Sequence, residues 1–187
     1  MTDTDTPLGQ DYGVLERGDG TVTLRFARQF PHPPQKVWRA LTEPEHLAAW
    51  FPTTIEGDYG TAGASLRFSF HEVPVPPMDG HAIACEPPKL LEFAWGDETL
   101  RFELTAKDSG TMLGFTATFA DIGKAARDGA GWHVCLDQLS YGLDEATAPF
   151  KPDDRWRLVN AEYVTRFGPD AATEGPPQEW EDTYGPA

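Results

Sequence analysis

GWHVCLDQLSYGLDEA, residues Gly131 to Ala146, reads as one helix, and the rest of the chain is arranged around it. Counting from Trp132, Cys135 falls at i+3, Leu136 at i+4, Leu139 at i+7 and Leu143 at i+11. At 3.6 residues per turn these five side chains share one stripe. His133, Asp137, Gln138, Asp144 and Glu145 fall on the opposite face, which is expected to meet water. So wide an apolar stripe needs an apolar partner. Nearly everything before it reads as β-strand, so the expected partner is a curved sheet wrapped around the helix.

Working outward, Tyr12 to Arg17 reads as a short strand returned by the Gly18-Asp19-Gly20 turn. Val22, Leu24 and Phe26 then alternate with Thr21, Thr23 and Arg25, the mark of a strand with one buried face. Pro31, Pro33 and Pro34 close that strand and open a helix whose buried edge is Val37, Trp38 and Leu41. Thr42-Glu43-Pro44-Glu45 fits a capping box for a second short helix with Leu47, Trp50 and Phe51 on its apolar face. Leu66, Phe68 and Phe70 mark a further strand, and the proline-rich run Glu72 to Gly80 reads as a loop. His81 to Cys85, Leu91 to Trp95, Leu100 to Leu104 and Leu113 to Phe119 complete the strands, joined by turns at Pro87-Pro88, Gly96-Asp97 and Asp108-Gly110. A glycine-rich connector, Asp121 to Ala130, leads into the central helix, and Gly131 is expected to allow close approach of the chain there.

The domain is expected to span residues 12–148, after a flexible segment of residues 1–11. Trp156, Val159, Tyr163 and Phe167 are spaced for one side of a helix in an extension over residues 149–167. Residues 168–187 are rich in Pro, Gly and acid without basic neighbours, which predicts disorder, with Trp180 and Tyr184 the only signs of docking.

Thirty acidic against fifteen basic side chains give a formal charge of −15, which disfavours nucleic acid and anionic membrane surfaces as partners. The two cysteines, Cys85 and Cys135, make no disulfide framework and read as small buried apolar residues. The opening residues lack the pattern of a signal peptide, and no apolar run approaches the length of a membrane span. A cytoplasmic location is the expectation.

The order strand, two helices, hairpin-linked strands, long helix resembles the START-like (SRPBCC) superfamily, in particular its branch of heat-shock-protein ATPase activator homologues. RQFPHPPQKVWRALTEPEHLAAWF (Arg28 to Phe51), EPPKLLEFAW (Glu86 to Trp95) and GWHVCLDQL (Gly131 to Leu139) carry the resemblance, which covers about Tyr12 to Ala148. It implies an α+β helix-grip fold, a curved antiparallel sheet around the C-terminal helix, often with a cavity between them. It implies no catalytic motif. The superfamily includes lipid carriers, hormone receptors and polyketide cyclases. Its eukaryotic co-chaperones carry a further chaperone-binding domain for which this sequence leaves no room, so a chaperone partner ranks last.

Inward aromatics are the main functional signal. Phe68, Phe70, Phe93, Trp95, Phe102, Phe115 and Phe119 from the sheet, with Trp132, Leu136 and Leu139 from the helix, either fill the core or line a hollow for a small apolar guest. Trp50 and Phe51 are placed at its entrance, and the Val73–Met78 loop as its lid. His81 shares its phase with Ile83 and Cys85, so His81 and Ile83 are expected to point inward, His81 as a satisfied core residue or a polar anchor. Glu92, Glu98 and Glu103 are expected in solvent. The histidines and cysteines have no metal-ligand spacing, and neither a phosphate loop nor a nucleophile elbow occurs, so no metal, cofactor or catalytic set is expected. The leading expectation is a non-catalytic binder of a small hydrophobic molecule. A cyclase or dehydratase using His81 or a tyrosine as acid–base, and a co-chaperone-like interaction module, are the alternatives.

Overall fold

The structure, a computed structural model, describes residues 11–71 and 73–185. Residues 1–10 of the segment expected to be loose lie outside the described residues, as do Glu72, Pro186, Ala187 and the side chain of Tyr184.

Eight strands form one antiparallel sheet: β1 (Val14–Arg17), β2 (Val22–Phe30), β3 (Thr53–Gly57), β4 (Ser65–Phe70), β5 (Met78–Glu86), β6 (Leu90–Trp95), β7 (Glu98–Lys107) and β8 (Gly110–Phe119). Their order across the sheet is β1-β2-β8-β7-β6-β5-β4-β3. Every neighbouring pair except β2–β8 joins strands consecutive in sequence, so tight turns set most of the topology. Between β2 and β3 run the two short helices, α1 (Pro34–Thr42) and α2 (Pro44–Leu47). The capping box at their junction does not form. The Thr42 hydroxyl donates to the Trp38 carbonyl at 2.8 Å within α1, and Pro44 opens α2 without a side-chain cap.

The sheet curls round α3 (Ala125–Leu143), preceded by a single 3₁₀ turn, Ile122–Lys124, in which Asp121 caps the Gly123 N–H. The helix thus begins well before Gly131, inside what reads as a glycine-rich connector. Ala125, Ala126 and Ala130 supply helix propensity that outweighs the glycines. Trp132, Leu136, Leu139 and Leu143 are buried against the sheet. There the rings interlock: Phe102 on Phe115 at 4.7 Å between centroids, Phe115 on Trp132 at 4.9 Å, Trp95 on Trp132 at 5.5 Å and Phe68 on Phe93 at 5.6 Å.

The opposite face of α3 meets water only at its C-terminal end, where Asp144 and Glu145 are exposed as expected, while His133 is buried and Asp137 and Gln138 are half-buried. Elsewhere it is covered by α4 (Pro152–Phe167), which buries Trp156, Val159, Tyr163 and Phe167 against it. Gly129 makes room, since a Cβ there would stand 3.3 Å from Phe167 and 3.4 Å from Tyr163. Beyond α4 the acidic tail, expected to be disordered, forms a 3₁₀ turn (Pro169–Ala171) and α5 (Gln178–Tyr184), and Trp180 rests on Trp156 at 5.1 Å. Among the described residues no helix is long and apolar enough to cross a membrane.

Candidate functional site

Two adjoining clefts open where the tail crosses the end of the helix–sheet sandwich, with volumes of about 360 and 350 Å³. The first lies between the Ala48–Pro52 segment after α2, Val134, Cys135 and Gln138 of α3, and Pro152, Asp153 and Trp156 of α4. The second runs between the sheet and α3. Phe70, Met78, Trp95 and Glu98 form its sheet wall, Arg127, Asp128, Gly131, Trp132 and Cys135 its helix wall, and Pro176, Pro177 and Trp180 its roof. Together the clefts are walled by five of the six tryptophans, all but Trp38. Gly131 faces both, and a Cβ added there would meet nothing within 4 Å. It opens space in the cleft and does not serve a close approach of the chain.

The thirteen candidate lining residues divide three ways. Trp50, Phe51, Phe70, Trp95 and Trp132 stand on the cleft walls. Phe68, Phe93, Phe102, Phe115, Leu136 and Leu139 are buried in the core, the four phenylalanine rings packed on one another. His81 and Ile83 point outward, contrary to the expected phase. Gly80 and Ala82 take the inner face of β5 instead, because Phe68 and the β6 backbone leave no room for larger groups: a Cβ on Gly80 would stand 2.0 Å from the Ala94 carbonyl oxygen. A bulge between Ala82 and Ala84 then shifts the register, so alternation cannot be extrapolated through it. With His81 exposed, an acid–base role for it in the cleft falls. Of the proline loop, Val73 borders the first cleft, while Met78 belongs to β5 and borders the second.

Glu98 is the site residue that the sequence reading misplaces. It is 8 % exposed and shares the inward phase of Leu100, Phe102 and Leu104. Lys124 binds its Oε1, and Lys124 also stands 3.5 Å from Asp128 Oδ2, while Arg127 Nε donates to Asp128 Oδ1 at 2.7 Å. Glu98 Oε2, Asp128 Oδ2 and the indole N–H of Trp95 are buried without a hydrogen-bond partner among the described residues. Burial, with the nearby Asp128 charge, pushes the Glu98 carboxyl above its ordinary range. Burial likewise drives the Cys135 thiol up to about 12, which leaves it un-ionised and poorly nucleophilic.

A second polar cluster holds α4 on α3. His133 is 1 % exposed, far from its expected place in solvent. Arg155 Nη2 can only donate, so at 3.2 Å it fixes His133 Nε2 as acceptor and the ring proton on Nδ1. That proton goes to Tyr163 Oη at 3.1 Å, which also accepts the Gly13 N–H at 2.8 Å. Arg155 Nε donates to Asp137 Oδ2 at 2.9 Å, and the buried Arg28 guanidinium stands 3.9 Å from Asp137 Oδ1. Burial, aided by Arg28, Arg155 and Arg166, holds the imidazole pKa down at about 3.

A pH dependence follows. The unfolded chain protonates His133 as pH falls through about 6.5, whereas the folded chain does not until about 3. In that window the unfolded state binds more protons, so stability falls as pH falls. Asp137 and Glu98, whose carboxyls are raised by burial, act in the opposite sense. The expected result is therefore comparative. Urea titrations of wild type and His133→Gln across the window should show a steeper acid loss for wild type, on the order of a few kcal/mol. Parallel curves would mean that His133 is charged or solvated in the fold.

Among the described residues no group of three His, Cys, Asp or Glu side chains is placed to hold a metal ion.

The comparisons with known proteins agree with this architecture. No curated protein matches the sequence. Among solved structures, the conserved protein of unknown function EF2215 from Enterococcus faecalis is similar with a TM-score of 0.68 at 21% identity, over 82% of this chain and 89% of that one. CalU16 from Micromonospora echinospora gives 0.68 at 20% identity, over 84% of this chain and 98% of its own. The BPP1335 protein from Bordetella parapertussis gives 0.66 at 24% identity, over 84% and 92%. These likenesses establish the shared fold. The family model described as activator of Hsp90 ATPase homolog 1-like protein matches residues 31–144, more than half of the chain. The region it matches runs from the end of β2 through α3, the helix-grip itself, and the chain belongs to the activator of Hsp90 ATPase homolog 1-like family of the SRPBCC superfamily.

Proposed function

We propose that this protein binds a small hydrophobic or aromatic molecule, without turning it over, in the paired clefts between sheet, α3 and tail. The observation that carries the reading is the gathering of five tryptophans around clefts of about 350–360 Å³. Such volumes fall within the range of small-molecule sites, roughly 300–1,000 Å³, and such sites are lined by aromatic walls with a few polar groups. The buried ring ladder behind Trp132 makes those walls rigid, so little ordering is required on binding. The two free thiols fit a reducing, cytoplasmic setting, which belongs to the same proposal.

Gly131→Leu tests the reading. Its side chain enters open space shared by both clefts, and exchanging a helix-interior glycine for leucine favours the helix by up to about 1 kcal/mol. The expected result is a protein at least as stable as wild type by urea titration that has lost binding of naphthylethanol in isothermal titration calorimetry. Undiminished binding by a folded Gly131→Leu protein would place the site elsewhere.

A further inference from the structure

The second cleft has more acceptors than donors to offer. Its walls carry the buried Glu98, 8 % exposed with Oε2 unpartnered among the described residues, and Asp128, whose Oδ2 accepts no hydrogen bond from them and stands 3.5 Å from the Lys124 ammonium. Asp153 adds a third carboxylate from the adjoining cleft. Among the described residues the one cation on these walls, Arg127, is already engaged, its Nε on Asp128 and its Nη1 on the Gly175 carbonyl at 3.2 Å. Lys124 is held by Glu98 Oε1, with its ammonium 4.8 Å from the Phe119 ring centroid. Indoles line the same cleft, Trp95 beside Trp132 at 5.5 Å and Trp156 beside Trp180 at 5.1 Å.

Aromatic faces attract cations through the ring quadrupole, most strongly for tryptophan. Carboxylate oxygens without donors call for N–H groups, and charge-assisted hydrogen bonds to them are the stronger kind. A chain charge of −15 draws cations toward the protein and repels anions. We propose that the cleft selects aromatic amines in their ammonium form, the cation seated among the tryptophan faces with its N–H groups on Glu98 Oε2 and Asp128 Oδ2. This deepens the binding reading above and rests on it. The Trp95 N–H, buried on the wall of the same cleft and without a hydrogen-bond partner among the described residues, provides for an oxygen acceptor beside the amine.

The test is a matched series, naphthylethylamine, naphthylethanol and naphthylacetate, titrated calorimetrically at neutral pH into wild type, Gly131→Leu and Glu98→Gln. The amine is expected to bind wild type roughly tenfold more tightly than the alcohol, and the carboxylate more weakly than either. Glu98→Gln is expected to bring the amine-to-alcohol ratio within about twofold, because it removes the negative oxygen and keeps the shape. If the alcohol binds wild type as tightly as the amine, and Gly131→Leu blocks both, the cleft is a binding site but the ammonium preference is wrong. If none of the three binds, the binding reading fails with it. Should Glu98→Gln not fold, as judged by circular dichroism, the wild-type series together with Asp128→Asn decides: an unchanged ratio in Asp128→Asn and no amine preference in wild type overturn the proposal.

Discussion

Trp132→Ala is expected to lower the unfolding free energy by about 3–5 kcal/mol, the usual loss for truncating a large buried aromatic. Trp132 is 4 % exposed and lies against Trp95, Phe115 and Phe51, the last at 5.9 Å. Its removal takes the ring that joins helix to sheet at the centre of the core. The three neighbours come from β6, β8 and the segment after α2, and they cannot collapse together into the void. Denaturant titration measures the change. A loss below about 1 kcal/mol would show that the ring is peripheral to the packing.

Asp137→Ala is expected to cost about as much, roughly 3–5 kcal/mol, for a different reason. Asp137 is the anion shared by Arg155 and by Arg28, which is 7 % exposed with its Nη2 lacking a hydrogen-bond partner. Without the carboxylate, the buried Arg28 loses the Asp137 charge and keeps only that of Asp11, and Arg155 loses the contact that orients it toward His133. The penalty is the stranded charge more than the lost pair. Double substitution of Asp137 to Ala with Arg28 to Met should therefore recover much of it. A double variant as unstable as the sum of the two single ones would show that the carboxylate acts independently of Arg28.

Arg28 and Glu98 also show what could be read from the residues alone. Alternation in β2 and β7 marks the inner faces correctly through Leu24, Phe26, Leu100 and Phe102. By that same parity Arg28 and Glu98 are inward residues. Glu98 is expected in solvent only if its phase is taken as opposite to that of Leu100, and each of the two is buried where a partner from a distant part of the chain meets it, Asp137 for one and Lys124 for the other. The partners are spatial, so no local spacing announces them. His81 and Ile83 are misplaced for the opposite reason: their phase holds only where pairing is regular, and the bulge after Ala82 breaks it. His133 and Asp137 on α3 read as exposed because α4 covers them with a polar network in place of an apolar stripe. The acidic tail reads as disordered by composition, yet Trp180 is large enough to anchor it on Trp156. The sheet, the tandem helices and the inner stripe of α3 were legible because burial against a single neighbour imposes a period. The cleft was not, since its walls come from the sheet, α3, α4 and the tail together.

The six indole N–H groups provide the most direct test of a tryptophan-walled binding site. In a proton–nitrogen correlation spectrum with assigned indoles, adding naphthylethanol and then naphthylethylamine should shift the signals of Trp95, Trp132, Trp156 and Trp180 saturably, while Trp38, away from both clefts, stays in place. Stationary cleft signals at high concentrations of both probes, or a Trp38 signal that moves as far as the others, would contradict the account.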